Sequence, residues 1–360
     1  MPPADPLTRA HAAVRTSHEA VLAWRVRRSL LVSSAQGTPT PPATVSDVAD
    51  RLVGIQAQVP SSARDAVSLR LGRDAGPELW AAQAGGRLLR TWAARGTLHL
   101  LTPSAAADQL AVLASARTWH KGSWQRTFAA TAVMDRLAEV VPGMLAGAPL
   151  TREELVAAVV EATGDPGLAE PLGSGWSTLL KPLAWQGLLC QAPTEGGSVQ
   201  FTRPDLLAPG WRPAEVEAGA PRVVLAYLGC YGPATPEAFD AWLLRGATAR
   251  ARLRAWFADL ADAGAIVPVD VEGERRWART VDVDDLASPG QVPRVLLPSF
   301  DPYVLGPGTA DPHVVPQEHR ALVSRAGGWI SPVILEAGRV AGVWSGERED
   351  PREELFADLG

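Results

Sequence analysis

Gly54-Ile55-Gln56-Ala57-Gln58-Val59-Pro60 connects two predicted helices and places two glutamines on either side of one alanine. A glycine suits the end of a helix, and a proline moves the residue before it out of the helical region. The connection is therefore predicted to be extended, with Gln56 and Gln58 on one face because side chains two apart share a face. That geometry would aim two neutral amides at one water or one ligand. The alternative is a polar connector with no chemical role.

The residues on both sides of the connection carry signals for helix starts. Thr44 supplies a capping hydroxyl three positions before Asp47, which predicts a helix that ends near Gly54. Ser61 is predicted to cap the next helix, over residues 63–71. A third helix and an apolar strand follow, and this order of elements is typical of a winged helix.

The same order of elements returns twice along the chain, which predicts an α+β fold of tandem winged-helix (helix-turn-helix) units with a small β-rich, barrel-like C-terminal region. Pro182 lies inside the predicted helix 174–189 of the second unit and should kink that helix or delay its start. Residues 1–17 and the charged tail after Gly346 are expected to be mobile. The predicted boundaries are 18–130 for the first unit, which carries both glutamines, 145–210 for the second, 220–285 for the third and 292–346 for the β-rich region.

Length and composition exclude several classes of protein. A chain of 360 residues is expected to form two or more domains. Its two cysteines, Cys190 and Cys230, form no CxxC motif, and its six histidines form no HxxxH pair, so neither a disulfide scaffold nor a metal site is predicted. The chain has no apolar signal core and no apolar run of about eighteen residues. We therefore expect a soluble, cytoplasmic monomer with no membrane partner and no cofactor.

The net charge of −5 is unevenly distributed. Residues 1–130 contain 15 basic and 8 acidic residues, whereas the remainder contains 19 basic and 31 acidic residues. A basic portion on an acidic chain indicates a local surface that faces an anion. Uneven surface charge without a partner is the alternative.

Four strings carry a resemblance to a known family, and they occur in order along the chain: RLVGIQAQ (51–58), TWAARGTLHLLTP (91–103), LLPSFDPYVLG (296–306) and GGWISPVILEAGRVAGVW (327–344). Together they resemble the AlkZ-like family of winged-helix DNA glycosylases, of the azinomycin-resistance type. The resemblance implies tandem winged helices around a concave cleft and a monofunctional glycosylase that acts on N7-alkylated purines, including interstrand cross-links. It also places the catalytic glutamines of the family on Gln56 and Gln58.

Two positions depart from the pattern of that family. Val59 follows the glutamine motif where an acidic residue is expected, and residues 306–313 contain no arginine or lysine where relatives carry basic residues. A sister branch carries aspartate at the position of Gln58. A DNA contact from the 306–313 segment is therefore not predicted.

Two neutral amides suit the chemistry of a cationic lesion. Alkylation at guanine N7 gives the base a positive charge, so the base leaves without being protonated. The remaining tasks are to place a water and to stabilise an oxocarbenium-like sugar, and glutamine carbonyl oxygens are acceptors for both. Because an amide does not take up a proton as a general base does, the predicted substrates are labile, cationic adducts.

Five further residues are predicted to contact DNA. Arg95 and His99 flank a strand, Lys121 and Arg126 lie among aromatic residues in WHKGSWQR (119–126), and Lys181 lies on a predicted recognition helix. The alternatives are a solvated Arg95, a hydrogen-bonded core His99 and an amphipathic helix whose tryptophans point inward.

The leading hypothesis is a DNA glycosylase that acts on duplex DNA with alkylated purines. A winged-helix regulator without enzymatic activity would keep the basic surface and make no use of the glutamines. A protein-interaction scaffold would show no salt-dependent binding to duplex DNA. Asp301 and Tyr303, in the third string, are expected to stabilise a turn before Pro302 rather than to act in catalysis.

Overall fold

The computed structural model describes residues 14–32, 42–194, 198–286 and 292–357. These residues form two compact units: the first contains the described residues up to 76 and those from 224 onward, and the second contains residues 77–223. The fold is mixed α+β, as predicted. The division between the units falls inside the predicted first segment, 18–130, and close to the start of the predicted third segment, 220–285.

The helices and strands are numbered in chain order. The helices are α1 (His18–Arg28), α2 (Val45–Arg51), α3 (Pro60–Leu71), α4 (Gly76–Ala84), α5 (Pro103–Ser115), α6 (Gly122–Thr127), α7 (Thr131–Met144), α8 (Arg152–Thr163), α9 (Ala169–Gly173), α10 (Leu180–Trp185), α11 (Pro204–Leu207), α12 (Val216–Tyr231), α13 (Pro236–Leu244), α14 (Arg250–Asp262), α15 (Val283–Leu286), α16 (Pro302–Leu305) and α17 (Arg320–Val323). The strands are β1 (Val14–Thr16), β2 (Ile55–Gln56), β3 (Leu89–Trp92), β4 (Leu98–Leu101), β5 (Leu150–Thr151), β6 (Cys190–Gln191), β7 (Gln200–Thr202), β8 (Ile266–Val271), β9 (Glu274–Arg279), β10 (Val295–Leu297), β11 (Val333–Glu336), β12 (Arg339–Glu347) and β13 (Asp350–Leu355).

The N-terminal part of the first unit contains a strand that the sequence did not predict. Residues 14–16, expected to be mobile, form β1 and pair in parallel with β8, while β8 pairs antiparallel with β9. Apolar side chains of α1, β8 and β9, among them Trp24 and Val269, are buried together beside this sheet. The expectation for residues 1–13 lies outside the described residues.

The C-terminal strands form an open sheet and not a closed barrel. The antiparallel strands follow in the linear order β10-β11-β12-β13, so β10 and β13 are edges. The barrel-like prediction is therefore wrong, and so is the expectation that the tail after Gly346 frays, because β13 pairs with β12. β13 is rich in charged residues, so a search for apolar runs does not find it. Arg294, the residue before β10, forms ion pairs with Glu336 on β11 and Glu353 on β13. Buried residues of this region pack around Leu297, Tyr303 and Val333.

The second unit has its own core and its own strands. β3 and β4 form an antiparallel hairpin, β3 also pairs with β6, β6 pairs with β7, and β7 pairs with β5. Trp92, Leu137, Leu183 and Phe201 belong to one buried cluster there. The predicted extent of helix 174–189 is wrong, because only α10 is α-helical in that range. Pro182 is the third residue of α10, so this proline delays the start of the helix, which is one of the two predicted effects.

The two cysteines, Cys190 and Cys230, are both buried and carry free thiols. Among the described residues, no helix is at once long enough and apolar enough to cross a membrane.

Candidate active site

The connection that carries the two glutamines follows α2, and hydrogen bonds fix both ends of that helix. Thr44 caps α2: its hydroxyl accepts from the backbone N–H of Asp47 at 3.2 Å, and the Asp47 carboxylate accepts from the Thr44 N–H at 2.9 Å. At the other end, the Gly54 N–H donates to the Ala49 carbonyl at 2.8 Å, with a φ of 105° that favours glycine. The Tyr231 hydroxyl donates to the Leu52 carbonyl at 2.6 Å. The entry to the connection is therefore held by backbone and side-chain bonds.

The exit from the connection is the start of α3. Pro60 is the first helical residue, and Val59 before it is extended, as a residue preceding proline is predicted to be. The predicted cap by Ser61 is wrong, because Ser61 lies inside the helix and Val59 occupies the capping position without a side-chain bond. Proline needs no amide partner at that position, which explains why the helix begins there.

The two glutamines differ in exposure. Gln56 lies on β2 and is 7% exposed, whereas Gln58 lies at a bend and is exposed. Ile55 and Ala57 are buried, and Val59 packs against the apolar cluster of the first unit. The backbone is a strand at residues 55–56 and then bends at Gln58. The prediction that both amides point to one face assumed an extended backbone through Gln58, whereas the structure gives the two amides different surroundings.

A buried ion pair anchors α3 directly after the connection. The Arg70 guanidinium donates to both oxygens of Asp301 at 2.9 and 2.8 Å and to the Ser29 carbonyl at 2.8 Å. Both charged side chains are fully buried. Burial alone lowers the pKa of Arg70, but the charge and hydrogen bonds of Asp301 outweigh it and raise that pKa above its usual value.

Asp301 and Tyr303 both make structural contacts, although Asp301 caps the helix that starts at Pro302 and not a turn before that residue. Asp301 caps α16 by accepting from the Tyr303 N–H at 2.9 Å, and the Tyr303 hydroxyl donates to the Gly338 carbonyl at 2.6 Å. Burial also raises the pKa of Tyr303. Both side chains have partners within the first unit that account for them.

Among the predicted DNA-contacting residues, Arg95 lies in the turn between β3 and β4, and His99 lies on β4 directly after that turn. Arg95 is half-buried with a φ of 57°, while the His99 side chain is 3% exposed and its Nδ1 lies 2.9 Å from the Thr97 carbonyl. Burial, followed by the charge of Arg95, lowers the pKa of His99 to about 3. His99 is therefore a neutral, hydrogen-bonded interior group that donates through Nδ1, which is the alternative stated for it.

Lys121 directly precedes the short helix α6, Arg126 lies within that helix, and both side chains are exposed. The tryptophans between and before them face inward: Trp119 is buried, and Trp124 packs against the core of the second unit. The segment is thus amphipathic, with aromatic residues inside and two cations at the surface.

Lys181 lies on α10, next to the turn that contains Arg95. A Cβ atom added to Gly96 would lie 3.7 Å from Lys181 Cδ and 3.9 Å from Trp185 Cζ2, so α10 packs closely against this turn. Residues far apart in the sequence are therefore neighbours in the second unit. The sequence pattern does not predict that Lys181 and the turn at Gly96 lie close together.

The segment 306–313, which has no arginine or lysine, contributes the acidic residue Asp311 to a buried contact. Asp311 accepts from Arg25 Nη1 at 3.1 Å, and Arg25 also donates to the carbonyls of Gly232 and Pro233. Burial acts to raise the pKa of Asp311, but Arg25 and the His313 N–H lower it. The sequence does not indicate Arg25 as the partner, because the position of Arg25 on a helix rich in arginines is typical of a surface residue.

Comparisons with known proteins agree with one another. The model of the family described as DNA glycosylase AlkZ-like matches residues 49–357. An interstrand DNA cross-link repair glycosylase of Streptomyces sahachiroi is 43% identical over 335 residues, which cover 92% of this chain and 88% of that protein. The solved structure of the DNA glycosylase AlkZ of Streptomyces sahachiroi matches with a TM-score of 0.87 and 41% identity, covering 96% of this chain and 92% of that chain.

Proposed function

The chain belongs to the DNA glycosylase AlkZ-like family, and we propose that it removes N7-alkylated guanine from duplex DNA, including guanine joined in an interstrand cross-link. As a DNA glycosylase it hydrolyses N-glycosyl bonds. Support for cross-linked DNA as a substrate comes from the Streptomyces sahachiroi relative, whose name states that it repairs interstrand cross-links. Self-resistance to a genotoxin and general repair are both roles in which such an activity serves the cell.

Gln56 and Gln58 are the proposed catalytic residues. The single observation that carries this assignment is that the connection is fixed at both ends. The Tyr231 hydroxyl donates to the Leu52 carbonyl before the connection, and α3 starts at Pro60 after it. A constrained segment keeps its polar side chains in place, and positioning contributes up to roughly 7–11 kcal/mol to a reaction with a bound nucleophile.

The difference in exposure suggests different roles for the two amides. Gln56, which is 7% exposed, is proposed to hold the attacking water through its carbonyl oxygen, where few bulk waters compete. Gln58, which is exposed, is proposed to approach the sugar and stabilise the charge of its oxocarbenium-like state. The cationic base leaves without an acid, so neither role needs a titratable group or a metal.

Three winged-helix units are the proposed scaffold for DNA binding. In the second unit of the structure, β5 precedes α8 and pairs with β7, and β7 pairs with β6, the strand that follows α10. A short strand before the helices that pairs with a hairpin after them is compatible with the proposed winged helix. Helices α12, α13 and α14 precede the hairpin β8–β9, and Ala234 between two of these helices bridges to Trp277. These two arrangements support the proposed units 145–210 and 220–285.

The proposed DNA contacts are Arg95, Lys121, Arg126 and Lys181, all in the second unit. Lys121 and Arg126 are exposed, and the other two are half-buried beside the turn at Gly96. A cation on the surface neutralises phosphate charge and so contributes to binding without reading sequence. His99 was grouped with these residues, but its buried and neutral state favours a supporting role for it.

A cleavage assay tests the assignment. Duplex DNA that carries N7-methylguanine is incubated with the chain and then treated with alkali, which breaks the strand at abasic sites. Wild type is expected to give breaks, and Gln56→Ala to give fewer by at least about 10²-fold, since loss of a positioned group costs that much. Gln83→Ala is the matched control, because Gln83 donates to the Leu79 carbonyl of its own helix and lies outside the connection.

The same assay separates the enzyme from a regulator that only binds DNA. Equal break rates with wild type and Gln56→Ala would reject the catalytic role of the glutamine. Salt-dependent binding without any breaks would favour the regulator. A duplex that carries one N7–N7 guanine cross-link then tests whether the two strands separate after alkali treatment.

A further inference from the structure

Three side chains of metal-binding type meet in the first unit, although they come from three separate parts of the chain. His18 is the first residue of α1, Glu274 is the first residue of β9, and His313 follows α16. A ring nitrogen of each histidine and a carboxylate oxygen of Glu274 all lie within 4.8 Å of one another. We propose that these three residues bind one divalent transition-metal ion, with Zn²⁺ as the ion that fits best.

The donor set matches zinc in chemistry and in number. Two imidazoles and one carboxylate are a known ligand set for Zn²⁺, with water as the fourth ligand. Imidazole nitrogen suits zinc and its neighbours in the periodic table, whereas Mg²⁺ and Ca²⁺ take oxygen ligands. The site is therefore expected to select zinc over either hard cation.

The observed separations require a small movement. Ligands at about 2.1 Å around a tetrahedral ion lie roughly 3.4 Å from one another. The rings of His18 and His313 are now stacked, with centroids 3.4 Å apart and planes 10° apart. An ion lies near the plane of each ring that binds it, so the rings must tilt out of the stack. All three side chains are at least partly exposed, which leaves room for that rotation.

The Glu274 carboxylate is already oriented for this role. Arg276 donates to its Oε2 from Nε at 3.1 Å and from Nη2 at 2.6 Å. The other oxygen, Oε1, is the atom that lies 4.0 Å from His313 Nε2. Hydrogen bonds that orient a ligating carboxylate are typical of metal sites, and here they leave one oxygen directed at the histidines.

The backbone N–H of each histidine donates a hydrogen bond to a nearby carboxylate. The His18 N–H donates to Glu272 Oε1 at 2.9 Å, and Glu272 lies at the turn of the β8–β9 hairpin. The His313 N–H donates to Asp311 Oδ1 at 3.0 Å, and the other oxygen of Asp311 accepts from Arg25. An ion at this point would join the start of α1, the hairpin and the segment after α16. It would therefore stabilise the first unit by binding the folded state alone.

Metal binding is measured on the full-length chain without an affinity tag, since a histidine tag would itself bind zinc. Competition for Zn²⁺ with a chromogenic chelator is expected to show one ion per chain, and the midpoint of thermal unfolding should rise with zinc and saturate. Mg²⁺ at the same concentration should produce neither effect. Both cysteines are buried, and burial raises the pKa of each thiol, so they do not compete for the ion.

Three variants locate the site. His18→Gln, His313→Gln and Glu274→Gln should each weaken zinc binding by more than the roughly 10-fold that loss of a supporting group costs. His120→Gln, an exposed histidine outside the group, should keep the wild-type affinity. Glu274→Gln has the same shape as the parent residue, so it tests the charge without disturbing the fold. A wild-type chain that retains no zinc, or cluster variants that bind it as tightly as wild type, would leave the group as a stacked histidine pair and overturn the proposal.

Discussion

Gln56 and Gln58 are separated by one alanine, but they differ in their exposure to solvent. An extended segment would present both amides alike, but the chain bends at Gln58 because α3 starts two residues later, at Pro60. Gln56 is nearly buried, and Gln58 is exposed. A substitution at position 58 should therefore be tolerated by the fold, since exposed substitutions usually change stability by less than about 0.5 kcal/mol.

Gln58→Asp is expected to extend the range of substrates. A carboxylate accepts a proton from water and stabilises a cationic sugar more strongly than an amide, so less labile adducts should be cleaved faster, by up to about 10²-fold. The measurement compares cleavage of duplexes that carry N7-methylguanine or N3-methyladenine. Gln58→Asn is the control, because it has the shape of aspartate without its charge. If Gln58→Asp and Gln58→Asn gave the same rates on both lesions, the idea would be wrong.

His99 gives stability a dependence on pH. Burial, and then the charge of Arg95, lower its pKa from 6.5 to about 3 in the folded state. Above pH 6.5 the imidazole is neutral in the folded and the unfolded chain, so it contributes no pH dependence. As the pH falls from 6.5 towards 3, only the unfolded chain takes up the proton, and the free energy of unfolding should decrease by up to about 1.4 kcal/mol per pH unit.

Denaturant unfolding between pH 7 and pH 4 checks this slope. His99→Gln should show a shallower decrease than wild type, because glutamine does not titrate. His120→Gln, at an exposed position, should keep the wild-type slope. A slope that His99→Gln leaves unchanged would assign the pH dependence to other groups.

At the scale of elements, local signals set most of the ends of helices. The capping pair Thr44–Asp47 is present as the sequence predicts, since it needs only residues within one turn, and Thr151–Glu154 forms the same kind of pair at the start of α8. Ser61 does not cap α3, because Pro60 already occupies the first helical position. The position of α3 is then decided by a distant partner, Asp301, which no local pattern identifies.

Asp301→Asn is expected to destabilise the first unit by about 3–5 kcal/mol, because it leaves the fully buried charge of Arg70 without its partner. The free energy of unfolding in urea measures the loss. Glu139→Gln is the matched control, since its ion pair with Arg136 lies on the surface and should contribute at most about 1 kcal/mol. A loss of similar size in both variants would contradict the assigned role of the buried pair.

At the scale of the whole molecule, the distribution of charge matters for the binding of DNA. Its net charge is −5, so binding to a polyanion needs a local basic surface. The exposed cations Lys121 and Arg126 and the half-buried Lys181 all belong to the second unit. Each one that contacts a phosphate releases a counterion on binding.

Binding of undamaged duplex across a range of salt concentrations tests these contacts. Each of Lys121→Gln, Arg126→Gln and Lys181→Gln should reduce the slope of log affinity against log salt by about 0.9 if the residue contacts one phosphate. Arg136→Gln is the control, because that exposed arginine already pairs with Glu139. A residue whose replacement lowers affinity equally at every salt concentration acts through the fold and not through phosphate.

The sequence by itself determined the mixed α+β class, the capping of α2, the apolar strands and the resemblance to the glycosylase family, because these depend on residues close together or on strings of fixed order. Only the tertiary structure decided which glutamine is buried, that β1 and β13 are strands, and that the C-terminal sheet stays open. It also brought His18, Glu274 and His313 together. Strand pairing, burial and ligand grouping join residues far apart in the chain, and the free energy of such contacts leaves no periodic pattern in the sequence.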